Sequence, residues 1–179
     1  MKTTITEVLA ELATIDKRLP KKAQELIPYV ARAAQLKDPL SKSGGSERYI
    51  AAERQSFSDL LQRKIILRRV VAKANAETTI AIDGKEMSVA DWLVWKRECY
   101  APHLQMLQGL LGQAQGARQQ AQQRGVALIR VEHEQVASQD ILVCLDEREL
   151  IDEVAALEER FGRLDGLLSL KNATTSVEV

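Results

Sequence analysis

Apolar residues recur at Ile5, Val8, Leu9, Leu12 and Ile15, the spacing of one helical face over residues 4–19. Thr4 and Glu7 stand at the separation of a capping box, and Pro20 is placed to end or kink this helix. Residues 21–36 are compatible with a helix but carry Pro28. Residues 37–46 (KDPLSKSGGS) read as a loop from their proline, serines and paired glycines. A longer helix is predicted over residues 47–74, with Phe57, Leu60, Leu61, Leu67, Val70, Val71 and Ala74 as its buried stripe. Asn75 tolerates the left-handed conformation of a helix stop and stands where this helix should end.

The pattern then changes period. Residues 78–84 (TTIAIDG) read as a short strand closed by a tight turn, and Ser88 with Asp91 as the cap of a new helix. That helix carries Trp92, is interrupted near Pro102, and continues through Leu104, Leu107, Leu110 and Leu111. Its far end, residues 112–125, is rich in Gln, Ala and Gly, as in a solvated or lightly packed helix. Residues 126–132 and 141–145 are strand candidates. Asp146 and Glu149 have capping-box spacing before a last helix that buries Leu150, Val154, Leu157, Phe161, Leu164, Leu167 and Leu168. An extended tail over residues 174–179 closes the chain.

Two stretches repeat one another. Residues 67–82 lie on residues 164–179 without gaps: Leu67 on Leu164, Val70 on Leu167, Val71 on Leu168, Asn75-Ala76 on Asn172-Ala173, Ile80 and Ile82 on Val177 and Val179. Each copy is an apolar helix, an asparagine stop and a short alternating strand. A lone strand leaves backbone groups unpaired, so the two strands are expected to join one small sheet, within the chain or between protomers. The expected fold is mainly α, a long-helix bundle with a small β element formed by short strands after helix ends. It is read as one domain over residues 1–179, with an N-terminal helix and loop over 1–46 and a core over 47–179.

Composition fits long helices: aromatics make up 4% of the 179 residues. The 25 Lys and Arg are balanced by 25 Asp and Glu, which argues against a basic nucleic-acid binder. No apolar run approaches the roughly 20 residues of a membrane span. The N-terminus lacks a secretory apolar segment, so a cytoplasmic protein is expected. Cys99 and Cys144 read as buried thiols of a reducing compartment rather than a disulfide.

Chemistry is sparse. His103 and His133 belong to no close ligand cluster; Glu132-His133-Glu134 is split by strand alternation. Gly44-Gly45 lacks the lysine-serine signature of a phosphate loop, and the carboxylates follow the spacing of solvated helical faces. No catalytic group, metal or cofactor is implied, and the expectation is a protein that is not an enzyme. Two cationic segments remain. Arg69 and Lys73 lead to Asn75, and Lys85 precedes Trp92, Trp95, Lys96 and Arg97. Arginine and lysine bind phosphates and an indole face can stack a nucleobase, so these eight residues are the candidate ligand-binding set. Each of them taken singly also suits a core anchor or a solvated charge.

The Asn75-Ala76-x-Thr78 element, the turn Gly84-Lys85-Glu86-Met87-Ser88-Val89-Ala90 and the tail Asn172-Ala173-Thr174-Thr175 resemble the septicolysin-like family of small helical bacterial proteins. They also resemble a group of tailed-phage proteins sharing these stretches. The resemblance runs from the second helix to the C-terminus, and residues 21–46 lie outside it. It implies a helical homo-oligomer with a small β element. The family name suggests a cytolysin, but the sequence offers no amphipathic membrane-inserting segment. The function expected from these readings is a non-catalytic, phage-encoded homo-oligomer acting in the host cytoplasm. It would sequester an anionic small molecule, such as a nucleotide signal of host defence, with itself and that nucleotide as partners. The alternative is a structural or assembly protein of a phage particle.

Overall fold

The computed structural model describes residues 2–130 and 139–179, of which the chain groups residues 2–77 with 169–179 and residues 78–168 into two compact units. It is 73% helical, with four long helices and a few short strands. With one short helix, α3, the elements in order are β1 (Lys2–Thr4), α1 (Ile5–Leu26), α2 (Ser46–Glu77), β2 (Thr79–Ile82), β3 (Lys85–Ser88), α3 (Val89–Val94), α4 (Tyr100–Arg124), β4 (Leu128–Arg130), β5 (Ile141–Val143), α5 (Glu147–Thr174) and β6 (Ser176–Glu178).

In the first unit, α1 starts where the sequence says. The Thr4 hydroxyl accepts from Glu7 N and the Glu7 carboxylate accepts from Thr4 N at 2.7 Å, the reciprocal capping box. Ile5, Val8, Leu12 and Ile15 are buried, but Leu9 lies off the stripe and is exposed. Pro20 does not end the helix. It sits on the exposed face, where its missing N–H costs one helical bond, and α1 continues to Leu26. Ion pairs order α1 against α2: Glu11 with Arg63, Asp16 with Lys64 and Lys22 with Glu53. The start of α2 is capped from eight residues upstream. Asp38 accepts from Ser46 N at 2.9 Å, from Ser46 Oγ at 2.6 Å and from Leu40 N at 2.9 Å. These bonds, the Ser46 hydroxyl first, pull the Asp38 carboxyl down to about 2.

Neither asparagine stops its helix: α2 runs past Asn75 to Glu77 and α5 past Asn172 to Thr174. The repeated strands do not share a sheet. β2 pairs with β3 and β6 pairs with β1, both antiparallel. The likeness between the two corners nevertheless goes further than the sequence alignment. Thr79 pairs with Ser88 and Ile80 with Met87; Ser176 pairs with Thr4 and Val177 with Thr3. Val89 N donates to Thr78 O at 2.8 Å, and Ile5 N donates to Thr175 O at 3.2 Å. Ser88 caps α3 through Asp91 N as Thr4 caps α1 through Glu7 N. Each corner is therefore a helix, a strand, a partner strand and a capped helix in the same register. The strands miss each other because each finds a nearer partner already leading into a helix.

The apolar side chains complete the exchange. In the second unit Ile80, Ile82, Val89 and Trp92 close on Leu164 and Leu168 of α5, the helix that leads into β6. In the first, Val8, Leu12, Ile15, Val177 and Val179 close on Leu67 and Val71 of α2, the helix that leads into β2. A further cluster joins Leu107 of α4 to Leu150 and Leu157 of α5. The second unit also holds the parallel pair β4–β5, with Leu128 opposite Ile141. Residues 131–132 of the first strand candidate lie outside the described residues, as does His133.

The interruption of the helix after α3 is a π turn, Trp95–Cys99, in which Tyr100 N–H reaches back to Trp95 O. Pro102 accounts for it. Proline cannot donate to the carbonyl of Glu98 and its ring crowds that carbonyl, so the turn widens just ahead of it. Cys99, on this turn, and Cys144, just after β5, are both exposed, not buried as their apolar neighbours suggested. The widened turn and the end of a three-residue strand each leave the thiol on the solvent side.

The glutamine- and glycine-rich end of α4 is helical to Arg124 and stops at Gly125, which takes the left-handed conformation. Gly109 and Gly112 lie inside this helix, and a Cβ at either would meet nothing within 4 Å. Replacing both with alanine should raise stability by about 1–2 kcal/mol, because alanine loses less backbone entropy in a helix. Urea unfolding checks this, and a loss of stability would mean that something packs on these glycines.

Candidate functional site

One hollow of about 210 Å³ lies within the second unit, lined by Ile82, Asp83, Lys85, Trp92, Trp95 and Arg160. Its rim is the β2–β3 turn, where Asp83 and Gly84 have φ of 52° and 76°. Those positive angles make the primed hairpin turn that matches strand twist, and Asp-Gly is a preferred pair for it. The wall comes from α3 and the π turn. Trp92 is buried, and its indole N–H donates to Ile80 O at 2.9 Å. Trp95 is half-buried, edge-on to Trp92 at 5.6 Å and tilted against Tyr100 at 5.8 Å. Tyr100 in turn stacks on Phe161 at 4.1 Å.

Charge in the hollow is organised around Asp83. Arg160 Nε donates to Asp83 Oδ2 at 2.8 Å and Arg163 Nη1 to Asp83 Oδ1 at 2.7 Å, so one carboxylate is held by two guanidinium groups. The Arg160 bond is the main reason the Asp83 carboxyl lies below its ordinary range. Among the described residues no carboxylate pairs with Lys85, which is exposed.

Three of the eight residues named from sequence thus meet here: Lys85, Trp92 and Trp95. Lys96 is turned away, paired with Asp165 and lying 5.2 Å from the Phe161 ring. Arg97 is exposed and donates to Leu93 O. Arg69, Lys73 and Asn75 belong to α2 in the first unit, where Arg69 is exposed and Lys73 lies 3.9 Å from Glu77. Sequence reasoning missed Asp83, Arg160 and Arg163. The signal was present: the repeat that lays Leu67 on Leu164 also lays Arg63 on Arg160.

That correspondence explains the hollow. In the first unit Arg63 forks onto Glu11, with Nε to Oε1 at 2.8 Å and Nη2 to Oε2 at 3.0 Å. The same register from the caps, Thr4 on Ser88, lays Glu11 on Trp95. Where the first corner has a carboxylate, the second has an indole, so Arg160 turns to the hairpin instead. The tryptophan also begins the π turn, which the first corner does without. π turns are uncommon inside α-helices and concentrate at functional sites.

No family model and no curated protein matches the chain. Its fold is similar to a crystal structure of a functionally unknown conserved protein from Corynebacterium diphtheriae, with a TM-score of 0.58 and 15% identity over 99% of this chain and 100% of that one. That is a likeness of fold.

A second hollow, in the first unit, measures about 430 Å³ and is lined by Tyr29, Arg32, Ser46, Glu47, Ile50 and Arg54 among others. Two of its polar groups already serve the loop: Arg32 lies 3.4 Å from Asp38, and Ser46 caps onto the same carboxylate. Among the described residues no three His, Cys, Asp or Glu side chains gather as metal ligands, and no helix is long and apolar enough to cross a membrane.

Proposed function

We propose that the protein is a non-catalytic, homo-oligomeric binding protein that takes an anionic small molecule with a flat ring, such as a nucleotide, in the hollow beside Trp95. The observation that carries this reading is the departure from the internal repeat. The first corner has Glu11 where the second has Trp95, so an indole at that position is not needed to make the fold, and Trp95 stands half-buried where Lys85 and Arg160 flank an open space. About 210 Å³ is less than the roughly 300–1,000 Å³ of pockets that enclose a whole drug-sized ligand. The hollow therefore suits the ring or the anionic head of a ligand whose remainder lies outside. The resemblance to tailed-phage proteins suggests the setting: withholding a nucleotide signal from host defence.

The exposed Leu61, Ile65 and Ile66 of α2, with Met106 and Leu110 of α4, support contact with further copies of the chain. They equally favour the second reading, an assembly protein of a phage particle that uses its helices for protein contacts alone.

The protein's two tryptophans both line the hollow, so intrinsic fluorescence reads its occupancy directly. A panel of mononucleotides and cyclic dinucleotides should contain a compound that changes this emission and raises the melting temperature. Ligand at 100 times its Kd adds about 2.7 kcal/mol. Lys85→Glu, at an exposed site, should weaken that binding at least severalfold. A panel that moves neither signal refutes the binding reading and leaves the assembly reading in possession.

A further inference from the structure

Resting on that reading, we infer that Asp83 holds the place of the ligand's oxyanion. A phosphate or carboxylate group of the ligand displaces the Asp83 side chain from between Arg160 and Arg163 while the ligand ring lies along Trp95. The geometry is that of a bound anion. Two guanidinium groups, one turn apart on α5, each donate to a different oxygen of one carboxylate, at 2.8 and 2.7 Å. Planar donor forks of this kind recognise carboxylate and phosphate oxygens alike.

The carboxylate comes from the tip of a hairpin rather than from a helix facing the arginines. Side chains of the triad are 34–57% exposed, so solvent and a competing anion reach them. A solvent-exposed pair of this kind is weak enough to be exchanged. The Arg63–Glu11 pair of the first unit is about as exposed, but its carboxylate comes from the body of α1 and not from a hairpin tip. Lys85, across the turn, adds positive charge for the remaining ligand oxygens, and Glu159 lies 3.8 Å from Arg163.

The test is Asp83→Asn. Asparagine adopts positive φ readily and Asn-Gly is a favoured pair for this turn, so the hairpin is kept while the charge is removed. Binding of phenyl phosphate, benzoate and phenol to the wild type and the variant would be followed by the two indole N–H signals in NMR titration. The three probes share a ring and differ in the anion, so they separate phosphate from carboxylate recognition and both from ring binding alone. The expected result is binding of phenyl phosphate or benzoate about two- to fivefold tighter in Asp83→Asn, the range by which an exposed ion pair competes. Phenol should be unchanged, and Arg163→Ala in the variant should remove the gain. If an anionic probe binds the wild type but no more tightly to Asp83→Asn, the displacement idea is wrong and the binding site stands. If no probe moves the Trp95 indole signal in either protein, the site and the displacement both fall.

Discussion

Leu164→Ala is expected to lower unfolding stability by about 2–5 kcal/mol, and Leu67→Ala by a comparable amount. Both side chains are 0% exposed. Each occupies the same position in its corner, beneath a two-stranded sheet and the first turns of a capped helix. Truncation leaves a cavity that neither corner is free to close, because strand register and cap fix the backbone on one side and a long helix fixes it on the other. Leu170, on α5 but 57% exposed, is the control, and its alanine variant should stay within about 0.5 kcal/mol of the parent. Urea titration of the three variants decides the matter. A Leu164 variant as stable as the Leu170 variant would mean that the second corner is not packed as described.

The hydrophobic periods carried most of the helical architecture. Ile5, Val8, Leu12 and Ile15 on α1, and Leu150, Leu157, Leu164 and Leu168 on α5, are buried as their spacing requires. The caps at Thr4 and Ser88 were equally legible, since side-chain oxygen and third-residue N–H are fixed by local geometry. What local pattern could not supply was pairing. β3 and β1 are short and polar, KEMS and KTT, with no alternation to announce a strand. Their existence depends on β2 and β6 arriving beside them. The repeat was therefore visible while the topology that makes sense of it was not.

The same limit applies at the site. Lys85, Trp92 and Trp95 are close in sequence and their meeting is a matter of one hairpin and one helical turn. Arg160 and Arg163 come from α5 and reach Asp83 only through the tertiary fold. Lys96 and Arg97, adjacent to Trp95, were carried into the candidate set by proximity, but helical geometry sends them to other faces. The Asp38 cap is a similar case. Its eight-residue reach to Ser46 depends on the positive φ at Gly44 and Gly45, which composition marks only as a loop.

Trp92→Ala should be the most damaging single change in the second unit, at about 3–5 kcal/mol, and Trp92→Phe should cost about 1–3 kcal/mol. The indole is 2% exposed and packs among Ile80, Ile82, Val89 and Leu164. Alanine forfeits that burial. Phenylalanine keeps most of the apolar contact but removes the N–H donated to Ile80 O at 2.9 Å, a bond away from water. The first corner places Val8 at this position, also buried and with no hydrogen bond to offer, so Val8→Ala should cost less than Trp92→Ala. Far-UV circular dichroism is the suitable readout, because the substitution itself alters fluorescence. The result also separates two roles for the tryptophans. An anchor destabilises the ligand-free protein when replaced, whereas a stacking platform changes binding and leaves stability alone. Burial and the bond to Ile80 assign Trp92 to the first role and leave half-buried Trp95 as the face available to a ligand. A Trp92→Phe variant of unchanged stability would reverse that assignment.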